Sequence, residues 1–157
     1  MDTPGYRNFL SRLCRPLMNR LSPESHGLDF GCGPGRVLSA IMEAQGHRVD
    51  RFDPFYHNAP EVFEKTYDFI SATEVVEHLR DPYKEFSRLF QILKQGGGWM
   101  GIMTKLATDR EAFKNWHYIR DDTHICFYSR PAFGYLARTV GARLEFIGND
   151  VILLKKR

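Results

Sequence analysis

Three cysteines in 157 residues, Cys14, Cys32 and Cys126, are too few and too widely spaced for a disulfide framework or a CxxC metal or redox site. Each reads as a small buried apolar residue. They are not clustered as iron–sulfur ligands either, so radical chemistry has no support. No run approaches the roughly 20 consecutive apolar residues of a membrane helix, and the N-terminus lacks the pattern of an export signal. A soluble, cytoplasmic chain without a membrane partner is expected. Charge of one sign is equally scarce: 22 basic against 19 acidic residues leave +3, too small an excess to demand nucleic acid. Internal repeats and low-complexity tracts are missing.

What is present is an ordinary globular composition, 43% apolar and 26% charged, in a length that suits one domain. Short apolar runs alternate with helical patterns between Gly and Pro punctuation, which predicts an α/β fold with a mostly parallel sheet. Residues 1–26 form a short N-terminal helical segment and 27–157 the core. The segment 6–21 spaces Phe9, Leu10, Leu13 and Leu17 helically, with Arg7, Arg12, Arg15 and Arg20 between them and Pro16 interrupting. A helix packed on the sheet is favoured over a basic lid or an RNA-facing helix. A strand ends at Phe30, a helix carries Val37, Leu38, Ile41 and Met42, and a polar strand runs from His47 to Asp53. Asp50 and Arg51 within that strand suggest a sheet edge.

Tyr67 to Thr73 reads as a buried strand, and Asp81-Pro82 as the cap and first turn of a helix bearing Phe86, Leu89, Phe90 and Leu93. Trp99 to Thr104 is the following strand. The stretch 105–128 lacks a long periodic pattern and is rich in aromatics and histidine, as functional loops often are. Ser129 caps a last helix that Gly141 ends, and a C-terminal antiparallel hairpin (143–154) closes the sheet.

The strongest signal is Asp29-Phe30-Gly31-Cys32-Gly33-Pro34-Gly35, where a strand feeds a helix. Glycines there permit a tight turn and let a ligand approach the backbone. Counting from Gly31 puts Arg36 at the last glycine of a GxGxxG fingerprint, so NAD is disfavoured, and without GK[ST] there is no P-loop. Asp53 stands about 20 positions on, where a carboxylate can accept ribose hydroxyls.

These residues resemble class I S-adenosylmethionine-dependent methyltransferases, in particular the small-molecule group that includes ubiquinone-biosynthesis O-methyltransferases. Gly27 to Gly35 resembles the family's first motif and Phe52-Asp53-Pro54 its second. Thr73-Glu74-Val75-Val76-Glu77-His78-Leu79 is similar to its NEVLEHL stretch, Leu93 to Gly98 to its LKPGG turn, and His124 to Ser129 to a recurring HVxFFS segment. The resemblance implies a Rossmann-like doubly wound fold and S-adenosyl-L-methionine as cofactor. It further implies that Asp29 and the backbone of Gly31, Cys32, Gly33 and Gly35 hold the methionine portion, Asp53 the ribose, and Thr73 and Glu74 the surroundings of the sulfonium.

One departure stands out: residues 54–66, 13 in all, cannot hold both the helix and the strand that the family normally places there. A truncated sheet edge after the second strand is therefore expected, with adenine resting beside Pro54 on Phe55, Tyr56 or other nearby side chains. For the chemistry, His124 is the first candidate base and His78 the second, since imidazole titrates near neutrality. Each also has a purely structural reading, as does His117. No metal site is expected, because no His/Cys cluster at ligand spacing exists. Trp116, Tyr118, Phe127 and Tyr128 read either as an acceptor pocket or as satellite core.

The expected activity is methyl transfer to oxygen or nitrogen of a small-molecule acceptor. RNA methylation and a noncatalytic nucleotide-binding scaffold stand as alternatives. So short a core implies an open site, covered by 105–128 or by a partner subunit in a homodimer.

Overall fold

The computed structural model describes residues 2–157. Helix α1 (Pro4–Met18) starts where the Thr3 hydroxyl accepts the Tyr6 N–H, with Pro4 in the first turn where its missing donor costs nothing. It runs through Pro16 to Met18, so the expected interruption does not end it. Its buried stripe is Leu10, Leu13, Cys14 and Leu17, while Phe9 is half exposed against Tyr6.

Strand β1 (His26–Phe30) leads through the glycine loop to α2 (Val37–Glu43) and β2 (Arg48–Phe52). Then follow β3 (Phe69–Thr73), α3 (Pro82–Ile92), β4 (Trp99–Met103), a short β5 (Leu106–Ala107), α4 (Arg110–Lys114) and β6 (Tyr128–Ser129). Helix α5 (Arg130–Val140) and the hairpin β7 (Ala142–Ile147) and β8 (Val151–Lys156) complete the chain. As the sequence predicts, Asp81 caps α3 and Ser129 caps α5, which ends at Gly141 in the left-handed conformation.

Six strands form one sheet in the order β2-β1-β3-β4-β8-β7, parallel except for the two pairings made by β8. Period-two alternation divides the core between the sheet's faces. Phe69, Trp99 and Met103 pack with α1 and α2, whereas Ile70, Met100 and Ile102 pack with α3 and α5. Gly101 allows α1 to approach closely: a Cβ there would lie 2.9 Å from Leu13 Cδ1. No helix among the described residues is long and apolar enough to cross a membrane.

β2 is the sheet edge, and the segment after it folds into a single 3-10 turn (Pro60–Glu64) with no strand of its own. Phe63 of this turn meets Phe52 edge-on at 4.8 Å between centroids, and Val62 is buried. The polar residue in β2 is partnered here, since the Asp50 carboxylate accepts from Lys65 Nζ (2.7 Å) and the Tyr67 hydroxyl (3.0 Å). Such partners blunt an open edge.

Candidate functional site at the carboxyl edge of the sheet

The parallel strands β1, β3 and β4 all deliver their carboxyl ends to one rim, where open α/β sheets bind ligands. The glycine loop leaves β1 with Gly31 and Gly33 at φ +72° and +64°. A Cβ on Gly31 would come within 2.3 Å of Val75 Cγ2, so the loop passes β3's exit with no room for a side chain. The Phe52 carbonyl accepts the N–H groups of Gly31 (2.7 Å) and Cys32 (3.1 Å). Asp53 completes the clamp: its Oδ2 accepts Gly33 N–H (3.0 Å), and its Oδ1 accepts those of Phe55 (2.9 Å) and Tyr56 (3.2 Å).

Two hollows of about 540 Å³ each meet over Gly31, Gly33 and Glu74. One is lined by Asp29, Cys32, Pro34, Gly35 and Thr73, with the capping Thr3 and with Tyr6 and Leu10 of α1 as its roof. The other is lined by Asp53, Pro54, Phe55 and His78, over an apolar floor of Phe30, Phe52, Val75 and Leu79. Of the expected cofactor residues, all but the exposed Tyr56 border one hollow or the other.

Two features of the first hollow fit a polar, cationic ligand group. Asp29 is buried, and burial pushes its carboxyl up to about 7 despite the hydroxyl donated by Ser71 (3.1 Å). The Thr73 hydroxyl is buried without a hydrogen-bond partner. An incoming ammonium would satisfy the carboxylate, and a ligand polar group the hydroxyl. Cys32 is half-buried rather than core, and burial pushes its thiol up to about 11, which leaves it unreactive.

Behind Glu74 lies a knot of residues from distant parts of the chain. Glu77 is fully buried and accepts the Tyr118 hydroxyl at Oε1 (2.5 Å) and the Thr104 hydroxyl at Oε2 (3.1 Å). Tyr118 Oη also lies 3.1 Å from Glu74 Oε2. One phenol proton cannot serve both carboxylates, so a protonated Glu74 donating to the Tyr118 oxygen lets Tyr118 donate to Glu77 while keeping both carboxylate contacts. Burial and the neighbouring Glu77 carboxylate raise the Glu74 pKa in agreement. Glu74 also holds a left-handed backbone (φ +53°), an uncommon conformation for a side chain of its type.

The two expected histidines come together. Their ring centroids are 4.9 Å apart, with Nδ1 of His78 2.8 Å from the Thr123 carbonyl and Nδ1 of His124 2.8 Å from that of Tyr118. Those contacts set both Nδ1 atoms as donors and leave Nε2 unprotonated in the neutral rings. His78 borders the second hollow. His124 lies behind it against Tyr118, ring centroids 4.1 Å apart. His117 is apart from them, its Nε2 3.0 Å from Lys105 Nζ.

No sequence signal singles out Glu77, because Thr73, Glu74 and His78 around it are polar as well. Ligating atoms of Glu77, His78 and His124 lie within 4.8 Å of one another, so these three are the described residues that could hold a metal ion. Spacing in the chain does not reveal this cluster, because 45 residues separate His124 from His78.

The aromatic stretch divides as well. Tyr118 and Tyr128 are buried, the latter donating to the Val76 carbonyl (2.9 Å), so both are core. Trp116, with Phe113, Leu106, Lys105 and Arg12, borders a separate hollow of about 690 Å³. Although roomier, this hollow lies away from the glycine loop and its lining includes none of the loop's residues.

A glycine loop, an acidic residue closing β2 and a ligand cleft at the rim of a parallel sheet define a nucleoside-binding α/β protein. The chain belongs to the methyltransferase-domain family, whose pattern matches residues 6–145. Among solved structures it is similar to a SAM-dependent methyltransferase from Archaeoglobus fulgidus, at 17% identity and TM-score 0.69, over 96% of this chain and 94% of that one. A SAM-dependent methyltransferase from Thermotoga maritima is 20% identical with TM-score 0.61 (95% and 89% covered). Phosphoethanolamine N-methyltransferase 2 of Haemonchus contortus, solved with S-adenosyl-L-methionine, is 18% identical with TM-score 0.65 (88% and 38% covered). No curated protein matches the chain.

Proposed function

We propose that this methyltransferase moves a methyl group from S-adenosyl-L-methionine to oxygen or nitrogen of a small-molecule acceptor. The observation that carries the reading is the pair of hollows joined over Gly31, Gly33 and Glu74, with Asp29 and the unpartnered Thr73 hydroxyl at one end and Asp53 at the other. Asp29 would hold the cofactor's ammonium, the backbone of Gly31 to Gly35 its methionine portion, and Asp53 its ribose through lone pairs left beside the loop clamp. When bound, the cofactor's sulfonium supplies a leaving group that is already activated. The chain's own task is to align the acceptor and take its proton.

Glu74 is placed for that proton at the junction of the hollows: its protonated carboxyl takes a proton at Oε1 as it passes its own to Tyr118, whose phenol proton moves to the Glu77 carboxylate. His78, on the wall beside it, is the second base. His124 acts as a positioning residue behind His78.

A small acceptor is preferred to RNA because three of the four arginines of the N-terminal segment are engaged within the chain. Arg7 pairs with Asp2, Arg12 with Asp150 and Arg20 with Glu145. Roofing by Thr3, Tyr6 and Leu10 supports α1 as a lid, and a homodimer partner is a second way to close the site.

Calorimetric titration with S-adenosylhomocysteine tests the reading. The wild type is expected to bind, and Asp53→Ala to lose most of the affinity because the glycine loop loses its clamp. No heat from the wild type at millimolar ligand would promote the noncatalytic scaffold, and retardation of RNA at low salt would favour an RNA substrate.

A further inference from the structure

The family resemblance implies an acidic residue for adenine after the strand that the truncated edge lacks, yet the hollow beside Asp53 does not lack a carboxylate. Glu85 and Arg88, from the first turns of α3, line it opposite Pro54 and Phe55. We propose that this Glu85–Arg88 pair reads the adenine edge, taking over from the missing strand. The inference rests on the cofactor reading above and concerns which residues recognise its base.

Three observations carry it. First, the pair is only partly spent on itself: Arg88 Nη2 donates to Glu85 Oε2 at 2.7 Å. Among the described residues Glu85 Oε1 has no hydrogen-bond partner, and Arg88 Nε is buried without one. Nε–H is closed off by the protein, so the donors left for a ligand are the Nη N–H groups that Glu85 does not engage.

Second, the truncated segment itself holds Arg88 in place. Phe63, from the 3-10 turn that stands where a strand would run, lies under the guanidinium, 3.8 Å from its carbon to the ring centroid. Its own edge is set against Phe52 and Phe30. A stacked, planar Arg fork is preorganised and loses less freedom on binding than a free surface side chain.

Third, the hollow's chemistry matches the base. Its floor of Phe30, Phe52, Val75 and Leu79 is apolar and suits a flat ring. Adenine presents an amino donor at N6 beside an acceptor at N1. A carboxylate and a guanidinium side by side offer the complementary acceptor and donor. Hypoxanthine reverses both positions, with an oxygen at C6 and a hydrogen on N1, so it would meet acceptor with acceptor and donor with donor. A site built to hydrogen-bond a group rejects the analogue that reverses it.

The test compares S-adenosylhomocysteine with S-inosylhomocysteine by calorimetry on the full chain, with thermal melting to show that each variant folds. The wild type is expected to prefer the adenine ligand by about 10-fold or more. Glu85→Gln, whose amide can donate to the hypoxanthine oxygen, should bring that ratio below about 3-fold, and Arg88→Ala should weaken adenine binding and lower the ratio too. A variant ratio equal to the wild-type ratio, with S-adenosylhomocysteine still bound, overturns this inference alone. A wild type that binds neither ligand overturns it together with the reading it rests on.

Discussion

The glycine loop and the 105–128 segment both leave the carboxyl ends of parallel strands, yet they hold their shapes by opposite means. The loop is fixed by backbone: Gly31 and Cys32 donate to the Phe52 carbonyl, Gly33 to Asp53, and positive φ angles make the turn. The 105–128 segment is fixed by side chains and by one residue far away. Tyr118 and Thr104 donate to the Glu77 carboxylate, while Ile125 and Cys126 donate to its carbonyl (2.8 and 2.9 Å). A loop of the first kind is sensitive to added bulk. A segment of the second kind is sensitive to the loss of one buried acid.

Bulk in the loop should have the largest effect. Gly31→Val must adopt a left-handed backbone and force a Cβ into Val75, for a combined cost of about 4 kcal/mol. The melting temperature should fall by roughly 10 °C, and S-adenosylhomocysteine binding should vanish. A variant that melts with the wild type would show that the loop is not built by close approach. In the second region, Glu77→Ala removes the acceptor that the Tyr118 and Thr104 hydroxyls share and leaves Glu74 as the one carboxylate within reach of Tyr118, at about 3 kcal/mol. Hydrogen exchange should then rise across 105–128 while β1 and the glycine loop keep their protection. Uniform loss of protection in both regions would mean that they do not hold their shapes independently.

The same contrast explains what could be read in advance. The loop, Asp53 at its distance, the capped helices and the missing strand are local: each is a pattern within some 25 residues, or a gap too short to fill. Even the edge position of β2 was legible, from Asp50 and Arg51 in a run that a two-sided sheet would make apolar. The Glu74, Glu77, Tyr118, Thr104 and His124 knot joins residues up to 50 positions apart. No periodicity encodes it, so sequence alone leaves the aromatic stretch divided between acceptor pocket and core, whereas the fold buries Tyr118 and Tyr128. Pro16 failed as a helix breaker because the Leu10, Leu13, Cys14 and Leu17 stripe packs on the sheet and outweighs one lost hydrogen bond.

Asp29 offers the smallest effect and the finest probe of the loop, because it separates a residue kept for stability from one kept for a ligand. Its folded pKa of about 7 lies above the 3.8 of the unfolded chain. Between those values the folded protein holds a proton that the unfolded chain has released, so the contribution of Asp29 to stability falls as pH rises from about 4 and is lowest above 7. Asn cannot ionise and carries no such slope. Without ligand, Asp29→Asn should therefore match the wild type near pH 4 and exceed it at pH 8 by about 2 kcal/mol in urea denaturation. This is less than the shift alone implies, since Asp29 borders a hollow that water can enter. With S-adenosylhomocysteine the order should reverse: its ammonium stabilises the wild-type carboxylate and finds no charge in the variant. Equal pH slopes for the two proteins would show that Asp29 is ionised in the fold without help, and the case for a residue held in waiting for a cationic ligand would fail.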